Sequence, residues 1–220
     1  MQTKATGVFI TFEGIDGAGK STQARLLEAS LIERGHSVLR TREPGGSPGA
    51  EEIRNLLVQG DPARWSAMTE ILLFTAARRD HIERTIQPAL ARGEIVLCDR
   101  YVDSTRAYQG DGALRDKVDL LHSEIIGREA DLTLIFDMDP VDGLARTTER
   151  DGSEDRFEQK GLQFQQALRQ RFLEIAVQNP DRCSVIDAGR SPEDIAADVA
   201  RIVGSLIPTP PKPKADSVDG

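Results

Sequence analysis

The chain has 220 residues, 39% hydrophobic and 29% charged, enough for one sizeable domain with a full core and requiring no second one. A formal net charge of -8 without any block of clustered Lys and Arg argues against a nucleic-acid partner, and no stretch approaches the roughly 18 apolar residues of a membrane span. Residues 1–7 do not read as a signal peptide, and Cys98 and Cys183 sit in apolar runs without metal-ligand spacing, as reduced core residues of a cytoplasmic protein would.

The first apolar run, Val8 to Phe12, leads into Gly14-Ile15-Asp16-Gly17-Ala18-Gly19-Lys20-Ser21 and a helix-reading stretch from Ser21 to Arg34. This is the G-x-x-x-x-G-K-[ST] pattern in the setting that gives it meaning: strand, glycine turn, helix. Its glycines let backbone N–H groups converge on a polyphosphate, and the helix N-terminus adds partial positive charge there. Lys20 would reach the β- and γ-phosphates and Ser21 would hold Mg2+, so the chain is expected to bind a nucleoside triphosphate.

Further β-branched apolar runs follow at Val38–Thr41, Ile95–Cys98, Leu132–Phe136 and Ser184–Ile186, with helix-periodic stretches between them. The alternation predicts a doubly covered, five-stranded parallel sheet. Each run ends in charged or glycine-rich residues, including Arg42-Glu43-Pro44-Gly45-Gly46, Asp99-Arg100-Tyr101, Asp137-Met138-Asp139 and Asp187-Ala188-Gly189-Arg190. Ligands of open α/β sheets bind beyond the strands' carboxyl ends, which makes that edge the expected active site.

Between the second and third strands a helical insertion runs from about Gly49 to Arg92, broken near Gly60-Asp61-Pro62; part of it is expected to stand over the sheet edge as a substrate-binding wall. The polar stretch from Arg146 to Arg156 lacks apolar periodicity and suits a lid, at about residues 147–157, between helices expected at Pro140–Arg146 and Phe157–Gln178. A last helix, about Pro192 to Leu206, has Ser191 as candidate N-cap. Residues 1–207 are thus expected to be the domain, and the Pro-rich residues 208–220 a disordered tail.

Phe74 and Arg78 lie four apart, so a ring and a guanidinium share one helix face; a base could stack on the first while the second donates to its carbonyl edge. On spacing alone the pair reads sooner as ordinary core plus a solvated face. Asp99-Arg100 at a strand end suits support of Mg2+ and a clamp on a phosphoryl group, or else a structural ion pair. Arg146, Arg150 and Arg156 would close over a transferring phosphate or form a solvated charged surface.

Phe12-Glu13-Gly14 with the following glycine loop, Arg42-Glu-Pro-Gly-Gly46, Leu73-Phe74-Thr-Ala-Ala-Arg78, the run from Asp99 to Gly110, and Asp155-Arg156-Phe-Glu158 together resemble bacterial thymidylate kinases, in order from about residue 7 to 206. The resemblance implies the P-loop nucleoside monophosphate kinase fold with a lid, transfer of the γ-phosphoryl of ATP to dTMP with Mg2+, and a homodimer formed through sheet-covering helices. It implies nucleotide contacts from Gly14, Ile15, Asp16, Gly17, Ala18, Gly19, Lys20, Ser21 and Thr22, with Arg190 added, and metal support from Ser21 and Asp99. Asp16 would hold the deoxyribose 3′-OH beside the phosphate-gripping Arg42 and Arg100. Phe74 would stack on thymine, Arg78 would bond its O4, Thr105 would lie at the base edge, Tyr108 would fill the space of a ribose 2′-OH, and Gln109 would be a further substrate contact. Some members carry an arginine inside the P-loop where this chain has Gly17, so Lys20 and Arg100 would be joined in catalysis by a lid arginine, Arg150 or Arg156.

Two rivals remain at this stage. A deoxynucleoside kinase shares the P-loop and lid but needs a general base for a 5′-OH and little to grip an acceptor phosphate. A P-loop switch protein would want an Asn-Lys-x-Asp sequence, which the chain lacks.

Overall fold

The computed structural model describes residues 7–61, 63–148 and 161–207. Five strands, β1 (Val8–Gly14), β2 (Val38–Arg42), β3 (Ile95–Asp99), β4 (Leu132–Asp137) and β5 (Cys183–Asp187), form one sheet in the order β2-β3-β1-β4-β5. All its pairings are parallel, with Phe12 opposite Asp99 and Leu134. Every apolar run expected to be a strand is one, and each extends past the run, β1 to Gly14 and the other four to a charged residue at the sheet edge.

The near-continuous apolar strands follow from burial on both faces. On one face Ile10, Phe12, Leu97, Leu134 and Phe136 pack against α1 (Lys20–Glu33), α8 (Gly161–Gln178) and α9 (Pro192–Gly204), after α2 to α7 have intervened in the chain. On the other, Phe9, Val96 and Cys98 meet α3 (Ala67–His81), the π-helical turn Ile82–Ile86 that continues it, α4 (Gln87–Ala91) and α6 (Leu114–Leu121). Thr11 and Thr133, both fully buried, satisfy each other through a 2.9 Å hydroxyl bond. Cys98 and Cys183 are buried free thiols, as expected.

The insertion consists of α2 (Pro48–Val58) and α3 with its extensions, separated by the expected break around Gly60. Asp80 of α3 holds the start of α2, accepting from Ser47 Oγ at 2.7 Å and Ala50 N at 3.3 Å. Ser191 caps α9 by accepting from Asp194 N at 3.1 Å. After β3 comes α5 (Val102–Tyr108), and after β4 comes α7 (Pro140–Thr148). Most of the expected lid, and the tail after residue 207, lie outside the described residues.

Candidate active site

Gly14, Gly17 and Gly19 have φ of 134°, 79° and 86°, left-handed values that an L side chain would strain, and they carry the chain round between β1 and α1. Lys20 is 7% exposed, and its Nζ donates to the carbonyl oxygens of Gly14 at 3.1 Å and Ile15 at 2.7 Å. Burial first, and the positive Arg100 second, bring its pKa down to about 8 despite the nearby Asp16, Asp99 and Glu13. At the next residue, Ser21 Oγ donates to Asp99 Oδ2 at 2.5 Å, so a hydroxyl from α1 and a carboxylate from the end of β3 share one spot.

Arg100 follows immediately. It is the one non-glycine residue with a left-handed backbone (φ 68°) among the described residues, a strain of about 1–3 kcal/mol that its surroundings must hold. Glu13 does much of this: its Oε1 accepts from Tyr101 N at 2.7 Å and Ser104 N at 3.3 Å, and its Oε2 from Ser104 Oγ at 2.6 Å. Burial, reinforced by the charge of Asp103, pushes the Glu13 carboxyl up to about 7 against the help of Ser104, Arg100 and Tyr101. The guanidinium so placed bonds Asp16, Gly14 O at 3.1 Å and Ser104 Oγ at 3.0 Å. Burial would raise the Asp16 carboxyl, but Arg100, Lys20 and the Tyr108 hydroxyl at 3.2 Å hold it below the ordinary range.

Asp99 and Arg100 are therefore not paired with each other; each serves a different partner.

Beyond Asp16 opens a cleft of about 490 Å³. It gathers Asp16, Phe74, Arg78, Arg100, Thr105, Tyr108 and Gln109, the expected substrate residues except Arg42. The insertion forms one wall, as expected, contributing Val58, Phe74 and Arg78. The solvated-face reading of Arg78 is overturned: the side chain is 3% exposed, with Nε on Glu43 Oε2 at 2.7 Å and Nη2 on Thr105 Oγ1 at 3.0 Å. Behind it, the other Glu43 oxygen meets His81 Nδ1 at 3.1 Å, and His81 Nε2 meets Thr41 Oγ1 at 2.8 Å. A carboxylate only accepts, so Nδ1 carries the proton toward Glu43 and Nε2 accepts from the threonine hydroxyl. Gly46 leaves room for this ring: a Cβ there would lie 2.3 Å from His81 Nε2 and 2.4 Å from Thr41 Oγ1.

Two expected residues sit elsewhere. Arg42 is half exposed, paired with Glu51 at 3.1 Å, and lines the neighbouring depression with Ser21 and Asp99. Arg190 binds Asp198 at 2.5 Å at the turn after β5. Arg146 is exposed on α7, while Arg150 and Arg156 lie outside the described residues. Motif reading missed Glu13, Glu43, Glu70 and His81, the groups that hold the others. The spacing that joined Phe74 to Arg78 reaches Glu70 one turn earlier, a signal that was available.

A glycine loop feeding a helix at the carboxyl edge of a parallel sheet, beside a cleft with a guanidinium clamp and a base-sized wall, defines a P-loop kinase acting on a nucleotide acceptor. The thymidylate kinase family profile matches residues 12–199. The chain is 62% identical over 200 residues to the thymidylate kinase of Ruegeria pomeroyi, covering 90% of this chain and 95% of that one. It is likewise 62% identical over 195 residues to that of Dinoroseobacter shibae, covering 88% and 94%. The solved structure of thymidylate kinase from Ehrlichia chaffeensis superposes with a TM-score of 0.72 at 36% identity, covering 90% of this chain and 99% of that one. The chain belongs to the thymidylate kinase family.

Proposed function

We propose that the cleft is the dTMP site and that its residues divide the work of phosphoryl transfer between them. As a thymidylate kinase the protein transfers the γ-phosphoryl of ATP to dTMP, giving dTDP, with Mg2+ as cofactor. The observation that carries the assignment of residues is that Phe74, Arg78 and Gln109 line one cleft with Arg100, which bonds Asp16 of the glycine loop. The ring stacks on thymine, Arg78 donates to its C4 carbonyl, Asp16 takes the 3′-OH and Arg100 grips the acceptor phosphate. Tyr108, fixed to Asp16, occupies the position of a ribose 2′-OH. The carboxylates lining the cleft, Asp16 and Glu43, are each held by an arginine, which suits an acceptor that already carries anionic oxygens rather than a nucleoside needing a base.

At the donor side the loop from Gly14 to Thr22 cradles the triphosphate, and Lys20 exchanges its two carbonyl partners for β- and γ-phosphate oxygens. Ser21 Oγ and Asp99 supply the hard oxygens that Mg2+ accepts alongside phosphates, so the residues present fit the ion. When bound, it neutralises charge on the phosphate chain. Arg190 and Arg42 would reach nucleotide and acceptor phosphate by leaving Asp198 and Glu51, and a lid arginine at 150 or 156 would complete the charge around the moving phosphoryl.

A homodimer is supported by half-exposed Leu72 on α3, Leu120 on α6 and Ile125 just beyond, on elements that touch one another on one side of the sheet. The net charge of -8 supports the absence of a nucleic-acid partner, and the two buried free cysteines support a cytoplasmic setting. No described helix is long and apolar enough to cross a membrane. The test is ADP release with dTMP, thymidine, the ribose analogue or no acceptor: turnover with dTMP alone is expected, and equal turnover with thymidine would refute the phosphate-gripping role of Arg100.

A further inference from the structure

α3 presents Glu70, Phe74 and Arg78 at four-residue intervals, one above another on a single face. Glu70 is 5% exposed. Its Oε2 accepts from Nε2 of Gln109, the residue closing α5, at 2.9 Å; Gln109 is 3% exposed and lines the cleft. The amide oxygen of Gln109 is buried with no hydrogen-bond partner.

A primary amide has two senses that differ only in which end is donor and which acceptor. Opposite a carboxylate just one of them works, since a carboxylate offers no proton. Glu70 therefore turns the NH2 of Gln109 toward itself and leaves the carbonyl oxygen over. Arg78, with Nε tied to Glu43 and Nη2 to Thr105, has only N–H groups to offer. The wall thus reads donor at Arg78 and acceptor at Gln109. A 4-keto, N3–H pyrimidine presents the complement, acceptor at O4 and donor at N3. A cytosine-type base presents donor at N4 and acceptor at N3, so it opposes like to like at both places.

We infer that Glu70 is a specificity-determining positioning residue: by fixing the amide sense of Gln109 it selects keto-imide pyrimidines over amino-pyrimidines. The inference rests on the reading above in which Arg78 and Gln109 face the base.

The probe pair is dTMP and 5-methyl-dCMP, which share sugar, phosphate and methyl group and differ only along the edge in question. In Glu70→Gln the side chain at position 70 can accept or donate, Gln109 can adopt either sense, and the kcat/KM preference for dTMP should fall about tenfold, the scale of one buried mismatched hydrogen bond. Arg78 keeps the remaining preference. Glu70→Met removes the partner altogether and should do the same, so the test survives if one of the two variants folds poorly. Exchanging the pair, Glu70→Gln with Gln109→Glu, puts an acceptor back toward the base and should restore the preference. Gln109→Leu separates the two layers of the argument. If it lowers the preference while Glu70→Gln and Glu70→Met stay within twofold of wild type, Gln109 reads the base but Glu70 does not set its sense, and the inference is overturned. If Gln109→Leu also leaves the preference unchanged, the base-edge reading itself fails.

Discussion

Removing Glu43 tests how Arg78, the arginine proposed to read the base, is held. Its two oxygens accept from Arg78 Nε at 2.7 Å and His81 Nδ1 at 3.1 Å, with the partners' side chains 3% and 0% exposed. Glu43→Ala leaves an arginine and a histidine N–H in a space water does not reach, and breaking a buried pair from one side costs about 3–5 kcal/mol. For a chain of this size that corresponds to a fall in Tm of roughly 10 °C. Glu43→Gln should behave differently. Its amide oxygen keeps Arg78, and its NH2 faces His81, which can move its proton to Nε2 and donate to Thr41 instead. Every hydrogen bond is retained and only charge assistance is lost, at about 1–2 kcal/mol. Urea unfolding at pH 7 measures both variants, and dTMP KM should rise about tenfold in Glu43→Ala as Arg78 loses its anchor. Equal destabilisation in the two variants, or Glu43→Ala costing under about 1 kcal/mol, would refute the reasoning.

Other consequences are equally open to measurement. Lys20→Ala should lower kcat at least about a hundredfold, because the ammonium acts most on charge that develops during transfer; near-normal turnover excludes its phosphate role. The Glu13 carboxyl, raised to about 7 from 4.5, holds its proton longer in the folded state, so its contribution is full below pH 4.5 and lost as pH rises through 7. Glu13→Gln should remove that slope, gaining about 3 kcal/mol on wild type between those pH values; parallel stability profiles would contradict it. Tyr108→Ala should narrow the kcat/KM gap between dTMP and its ribose analogue, and an unchanged gap places the selecting group elsewhere. Of the lid arginines, Arg150→Ala is expected to slow single-turnover transfer about a thousandfold while barely changing dTMP Kd, with Arg156→Ala milder; wild-type chemistry in both would dispose of the lid arginine.

The fold was legible because its signals are local. Five apolar runs, each closed by a polar residue, give the strands, and the glycine loop places the site at one edge. The residues proposed to approach the ligand were legible for the same reason: the ring and guanidinium at 74 and 78 and the run from Asp99 to Gln109 are contiguous patterns. What escaped is the layer that holds them. Glu13 braces Ser104 from 91 positions away, Glu43 reaches Arg78 across 35 and Glu70 reaches Gln109 across 39. Such partners lie on different elements, and periodicity reports only which face a residue shares with its own helix or strand. Arg42 and Arg190 show the converse, since their positions at strand ends were correct but Glu51 and Asp198 engage them.

The contact between the P-loop and α7 leaves no room for an arginine in the loop, in keeping with the proposed lid arginine. A Cβ on Gly17 would lie 2.2 Å from the carbonyl oxygen of Gly143, and a Cβ on Gly143 would lie 2.8 Å from that of Asp16. Two glycines thus let the loop and the helix pack backbone to backbone, Gly17 also needing its left-handed φ of 79°. No side chain fits between them, so an arginine at position 17 would have to displace α7. Arg169, on α8, is occupied by both oxygens of Asp137, at 2.5 and 2.9 Å. Yet α7 runs from this contact directly toward residues 147–157, so the close packing that bars an arginine from the P-loop also ties the base of the expected lid to it. The Gly17–Gly143 contact leaves the loop without room for an arginine of its own, which is why the proposal turns to positions 150 and 156.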